Sequence, residues 1–164
     1  MESGWHAFWT GFAEDFSGPM DPHALGRLLG RLIIAAVLGG LLGLDRELKK
    51  KRAGLRTFMM VTLGSALAVI IAERIPDIGA DISRVIQGVI LGIGFLGAGA
   101  IIKHEDSTDI VGLTTAAGIW FAAAIGLAAG LGQIVAAVVG TILALIVFIA
   151  LAPIERWIHR DDRS

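Results

Sequence analysis

QIVAAVVGTILALIVFIALA, residues 133–152, runs for twenty positions without a charged side chain. A helix rises about 1.5 Å per residue, so about twenty apolar residues cross a hydrocarbon core of roughly 30 Å. Four further apolar stretches precede it, at 25–44, 57–72, 85–102 and 110–129. Together they predict an all-α polytopic membrane protein with five transmembrane helices. The second stretch is short, about 16 residues. It has to borrow from residues 54–56 or tilt less than its neighbours.

Composition agrees. The chain is 55% hydrophobic and only 18% charged, and a soluble domain normally carries more charge. A net charge of −1 gives no basis for bulk nucleic-acid binding. Cysteine is absent, which removes disulfides, thiolate metal sites and cysteine nucleophiles from consideration. The segments around the spans leave no room for a soluble catalytic domain, and a non-enzymatic protein is expected.

Charge sets the orientation. If the first helix runs inward, ten Lys and Arg residues fall on the inner side and four (Arg27, Arg31, Arg74 and Arg84) on the outer. The positive-inside rule then places the N-terminus outside and the C-terminus in the cytoplasm. The acids divide 8 to 7 and do not drive the choice. Before the first span, Trp5, Phe8, Trp9, Phe12 and Phe16 recur at helical spacing. An amphipathic helix lying in the outer interface fits this pattern. It lacks the basic start and long apolar run of a signal peptide.

Most of the 22 glycines lie inside the spans. In lipid, small residues let helix backbones approach closely. The small-xxx-small pairs are Gly26–Gly30, Gly39–Gly43, Gly88–Gly92 and Gly126–Gly130. Gly92, Gly94, Gly97 and Gly99 crowd the third span, which is therefore expected to sit centrally and touch several neighbours. The same run satisfies G-x-G-x-x-G. A dinucleotide fingerprint, however, needs a preceding strand, and this match lies inside an apolar helix. No P-loop, HExxH or GxSxG motif occurs.

The polar residues gather on the inner side. Asp45-Arg46-Glu47 ends the first span, and Arg56-Thr57 opens the second after a short loop. Charges beside hydrocarbon are costly unless paired, so Arg46 or Arg56 is expected to pair with Asp45 or Glu47. Lys49 to Arg52 read as a retention signal that fixes topology. Two acids at a helix C-terminus oppose the dipole and suggest a role beyond topology. Ser65, Thr114 and Thr115 either bond back to their own helix carbonyls or line a small polar cavity. Asp109 is placed to cap the fourth span. Arg27, Arg31, Glu73, Arg74 and Arg84 are read as snorkelling, and Gln87 is expected to face protein. Glu105, Asp106 and Asp109, with Asp45 and Glu47, could offer oxygen ligands to Mg²⁺, the only cofactor considered.

These motifs resemble the MgtC/SapB family of bacterial inner-membrane proteins. The carrying residues are Gly43-Leu44-Asp45-Arg46-Glu47, Ala53-Gly54-Leu55-Arg56-Thr57 and Leu63-Gly64-Ser65-Ala66-Leu67. Gly92 to Ile101, Val111 to Trp120 and Ala123 to Leu127 follow in order. The resemblance implies a transmembrane domain at 23–153; the aromatic interfacial segment at 1–22 precedes it outside the matched motifs, and a short basic tail follows at 154–164. It also implies a link to growth in low Mg²⁺, and to survival inside macrophages for pathogens. For the best-known member the implied role is regulatory: binding other membrane proteins, including the F-type ATP synthase. Many members carry a soluble C-terminal ACT-like domain that residues 1–164 do not include, and activities needing it are not expected here.

The expected function is thus interaction within the membrane during adaptation to low Mg²⁺. Asp45, Arg46, Glu47, Arg56 and Thr57 would form the inner site, with Ser65, Thr114 and Thr115 nearby. Alanine at Asp45 or Arg56 should remove function while leaving membrane levels intact. The alternative is a channel or transporter for Mg²⁺ or another small ion, which in so small a protomer would need a dimer. The Gly-xxx-Gly faces suggest a homodimer.

Overall fold

The computed structural model describes residues 2–17, 21–75, 81–103 and 110–161. Six helices follow in order: α1 (Glu2–Ser17), α2 (Pro22–Leu48), α3 (Leu55–Ala72), α4 (Ile82–Ala100), α5 (Leu113–Gly130) and α6 (Ile134–Asp161). Five of them, α2 to α6, are long and apolar enough to cross a membrane. This is an all-α, multi-pass membrane fold. Between α4 and α5, β1 (Ile102–Lys103) and β2 (Ile110–Val111) form a two-residue antiparallel ladder. The chain divides into two units, Met1–Gly30 and Arg31–Ser164.

In the first unit, α1 clusters Trp5, Phe8 and Trp9, whose ring centroids lie 5.7–5.9 Å apart. All three rings are exposed. The side chains of Phe12 and Phe16 lie outside the described ones. The start of α2 is fixed by its sequence: Asp21 Oδ1 accepts from the His23 N–H (3.0 Å), and Pro22 occupies the first helical turn, where its missing N–H costs nothing.

In the second unit the core is the pairing of α3 with α5. A side chain at Gly126 would collide with the Thr62 backbone and Ser65, and one at Gly130 with the Ala66 backbone and Val69. Gly118 admits the ring tips of Phe58 and Phe148. Gly39 and Gly43 of α2 lie against Leu55, Phe58 and Thr62 of α3. Helix α6 packs on α5, with Gly140 near Phe121 and Ile125.

The third span is not central. Leu91 and Phe95 of α4 are 76% and 82% exposed. Side chains at Gly92, Gly94 and Gly99 would meet nothing among the described residues, and only Gly97 approaches a neighbour, Ala116 of α5. Glycine density does not say whether a partner faces the glycines. The central helix is α5, whose Ala122, Ala123, Ala129, Gly126 and Gly130 are buried on several sides. Helix α4 is unbroken from Ile82 to Ala100. Gln87 is exposed on it, not turned inward, about 7.5 Å from the helix start and so within reach of the interface.

Of two further span ends, one agrees with expectation and one differs. Helix α3 starts at Leu55, so the short second span does borrow from the loop. Helix α5 starts at Leu113, not Ile110, because Gly112 adopts a left-handed φ of 100° with the Ala100 carbonyl packed where a side chain would be. The N-cap is therefore Gly112, not Asp109, which lies outside the described residues.

Candidate functional site

The buried face of α2 carries Ala35, Leu38, Gly39, Leu42, Gly43 and then Arg46. Arg46 continues an apolar stripe and is only 2% exposed. A guanidinium so placed must find its partners in the protein. Asp45 Oδ2 accepts from Arg46 Nε (2.9 Å) and Nη2 (2.5 Å). Asp45 Oδ1 pairs with Lys49 Nζ at 2.7 Å, one helical turn on. The Arg46 guanidinium also lies over the Phe148 ring, 3.7 Å from its centroid, a contact that strengthens out of water. Lys49 Nζ donates to the Phe148 carbonyl (2.8 Å). One residue of α6 is thus held twice, by its ring and by its backbone.

Of the expected pairings, that of Arg46 with Asp45 is present. Glu47 and Arg56 make no ion pair among the described residues. Glu47 Oε2 accepts instead from the Leu55 N–H (3.0 Å), capping α3 from eight residues upstream. The first amides of a helix lack intrahelical acceptors, so this bond fixes the α2–α3 turn. Glu47→Ala should lower stability by about 1 kcal/mol, a fall of about 2–4 °C in melting temperature, while Glu47→Gln should not. Thermal unfolding in detergent checks this.

Arg56, Thr57 and Thr114 are exposed, and Arg56 makes no ion pair among the described residues. Thr115 is buried one turn before Gly118, and Ser65 is buried at the Gly126 contact. Neither bonds back to a helix carbonyl. Among the buried hydroxyls, two not singled out in the sequence do: Thr62 donates to the Phe58 (3.1 Å) and Met59 (3.0 Å) carbonyls, and Thr141 to Ala137 (2.8 Å). Phe148 and Lys49 were missed as well. The signal for Arg46 is its register with Leu38 and Leu42. For Phe148 the sequence holds no local signal.

At the opposite helix ends Arg31 does not merely snorkel. Its Nη1 donates to Glu73 Oε2 (2.5 Å) and to the Gly130 carbonyl (2.7 Å). Its guanidinium lies against Gly132, whose φ of 75° ends α5. Arg31 therefore ties α2 to the C-terminal ends of α3 and α5, where unpaired carbonyls favour a cation. Arg84 pairs with Asp81 (3.2 Å) in the first turn of α4.

Glu105, Asp106 and Asp109, the Mg²⁺ candidates, lie outside the described residues. Both oxygens of Asp45 pair with cations, and Glu47 caps α3. Among the described residues no group of three His, Asp or Glu could hold a metal ion.

Residues 32–157 match the model of the MgtC family, a stretch that contains the Asp45–Arg46–Lys49–Phe148 cluster and the α3–α5 core. The chain belongs to the MgtC family. Over 145 residues it is 40% identical to an uncharacterised protein of Haemophilus influenzae, covering 83% of this chain and 60% of that one. It is 40% identical over 124 residues to YhiD of Escherichia coli, described as a candidate magnesium transporter, covering 71% and 57%. The MgtC protein of Brucella abortus is 38% identical over 120 residues, covering 73% and 49%. The chain thus spans about half to three fifths of these relatives' lengths. No solved structure matches it. Helix α1 precedes the MgtC match, and α2 to α6 carry it.

Proposed function

We propose that this MgtC-family chain is a non-enzymatic protein of the bacterial inner membrane that binds and restrains other membrane proteins in adaptation to low Mg²⁺. Its N-terminus would face the periplasm and its C-terminus the cytoplasm. The observation that carries this reading is where the polar groups are spent. Asp45, Arg46 and Lys49 neutralise one another against Phe148, and α3 and α5 meet backbone to backbone at Gly126 and Gly130. What stays open is surface: the α4 face with Leu91 and Phe95. A second copy of the chain and the F-type ATP synthase are the partners proposed for such a face.

Deletion should slow growth in limiting Mg²⁺, and crosslinking the tagged protein should capture a membrane partner. Restored growth with no crosslinked neighbour would count against the interaction reading. A second reading, ion transport, is favoured by the description of YhiD and by Ser65 and Thr115, buried hydroxyls without a helix-carbonyl partner. Saturable Mg²⁺ flux into liposomes holding only the purified protein would establish it in place of the first.

A further inference from the structure

The geometry points to the α2–α3 turn as a binding surface for the phosphates of anionic phospholipid headgroups. Residues 45–56 hold six cations and two acids. Arg46 and Lys49 are spent on Asp45. Lys50, Lys51, Arg52 and Arg56 are exposed and make no ion pair among the described residues.

The turn that carries them is built, not slack. The Lys51 N–H donates to the Arg46 carbonyl and the Lys50 N–H to the Glu47 carbonyl, both at 2.9 Å. This is the paired closure of a helix C-terminus that needs a left-handed residue at the position of Lys50. Ala53 is buried, and Glu47 caps α3. Because α2 and α3 are consecutive membrane-spanning helices, the turn between them lies at the depth of the headgroups. Four cations on a fixed turn at that depth meet the negative surface of a leaflet, and arginine matches a phosphate with two parallel donors.

Lys50 separates this reading from a topology signal alone. Its φ is 50°, and it is the one described non-glycine residue with positive φ. Glycine is the residue that such a closure favours. A charge serving only orientation works equally well at any neighbouring position of the loop, so nothing in that role keeps a lysine where glycine fits better. A cation aimed at a ligand does. The overall charge of −1 and the membrane depth favour a lipid over a soluble polyanion.

The test uses the full chain purified in neutral detergent. Phosphatidylglycerol, phosphatidylcholine or soluble glycerol phosphate is titrated in while the melting temperature is followed. Phosphatidylglycerol alone should raise it saturably. Lys50→Gly, Arg52→Gln and Arg56→Gln should each weaken the apparent affinity for phosphatidylglycerol by about fivefold. The lipid-free melting temperature of Lys50→Gly should not fall. Equal stabilisation by phosphatidylcholine overturns the proposal, as does an undiminished phosphatidylglycerol affinity in Lys50→Gly. A full response to glycerol phosphate overturns the assignment to lipid.

Discussion

Gly126→Val is expected to remove most of the folded protein from the membrane, while Gly92→Val in the neighbouring span leaves the protomer as stable as before. The two glycines are alike in sequence, each half of a small-xxx-small pair in an apolar helix. They differ in what faces them. A Cβ at Gly126 falls on the Thr62 carbonyl and 2.8 Å from the Thr62 Cα, with Ser65 Cβ at 2.9 Å. Those are mainly backbone atoms of a packed helix and cannot swing aside, so α3 and α5 must separate. In lipid their association rests on close packing and not on expulsion of water, so lost contacts are not made good by apolar burial elsewhere. Overpacking in a soluble core costs about 1–3 kcal/mol, and an obstruction by backbone sits at or above the top of that range. A Cβ at Gly92 would meet no described atom beyond its own helix backbone within 4 Å. Size-exclusion profiles and melting curves of both variants in detergent decide the matter. A stable Gly126→Val, or a collapsed Gly92→Val monomer, would mean that the central pair is not α3 with α5. If Gly92→Val folds but loses a dimer, the exposed α4 face is the contact between copies.

Length and apolarity made the five crossings legible, because hydrocarbon thickness imposes them on the sequence directly. Helix ends were less so. Gly112 looked like one more small residue in an apolar run, and only its left-handed backbone against the Ala100 carbonyl shows it as the boundary of α5. The choice of central helix failed for a related reason. Glycines permit close approach but do not select the partner, and alanines in α5 serve as well. At the site, the pairing of Arg46 with Asp45 followed from adjacency and the cost of unpaired charge. Burial of Arg46 was implicit in its register with Leu38 and Leu42. The capping role of Glu47 was hidden because a carboxylate near arginines suggests an ion pair, whereas the amides of α3 had no other acceptor. Phe148 lies 99 positions from Lys49, and no local pattern joins them. The same holds for Arg31 and the Gly130 carbonyl.

Asp45→Ala should lower the amount of folded protein sharply, unlike Arg56→Ala, although the sequence suggests the same result for both. The side chain of Arg46 is 3% exposed and that of Asp45 11%, so removing the carboxylate leaves a guanidinium in a dehydrated site with, among the described residues, the Phe148 ring beside it. Breaking a buried pair from one side costs about 3–5 kcal/mol, most of it the isolated charge that remains. Arg56 is exposed and its loss strands nothing. The cost should therefore be conditional. In Asp45→Leu combined with Arg46→Met no charge is stranded, and stability should return to within about 1 kcal/mol of the parent, since apolar replacement of a buried pair is often neutral. Melting curves for the parent, Asp45→Leu, Arg46→Met and the double variant form the cycle that reads this coupling. Additive losses would mean that the two side chains act independently and that the cluster is not a unit. If the double variant folds normally but no longer supports growth in limiting Mg²⁺, the charges serve function and stability is a consequence of their burial. If it folds and supports growth, the pair is only a way of ending α2 against α6, and the functional surface lies elsewhere on the protein.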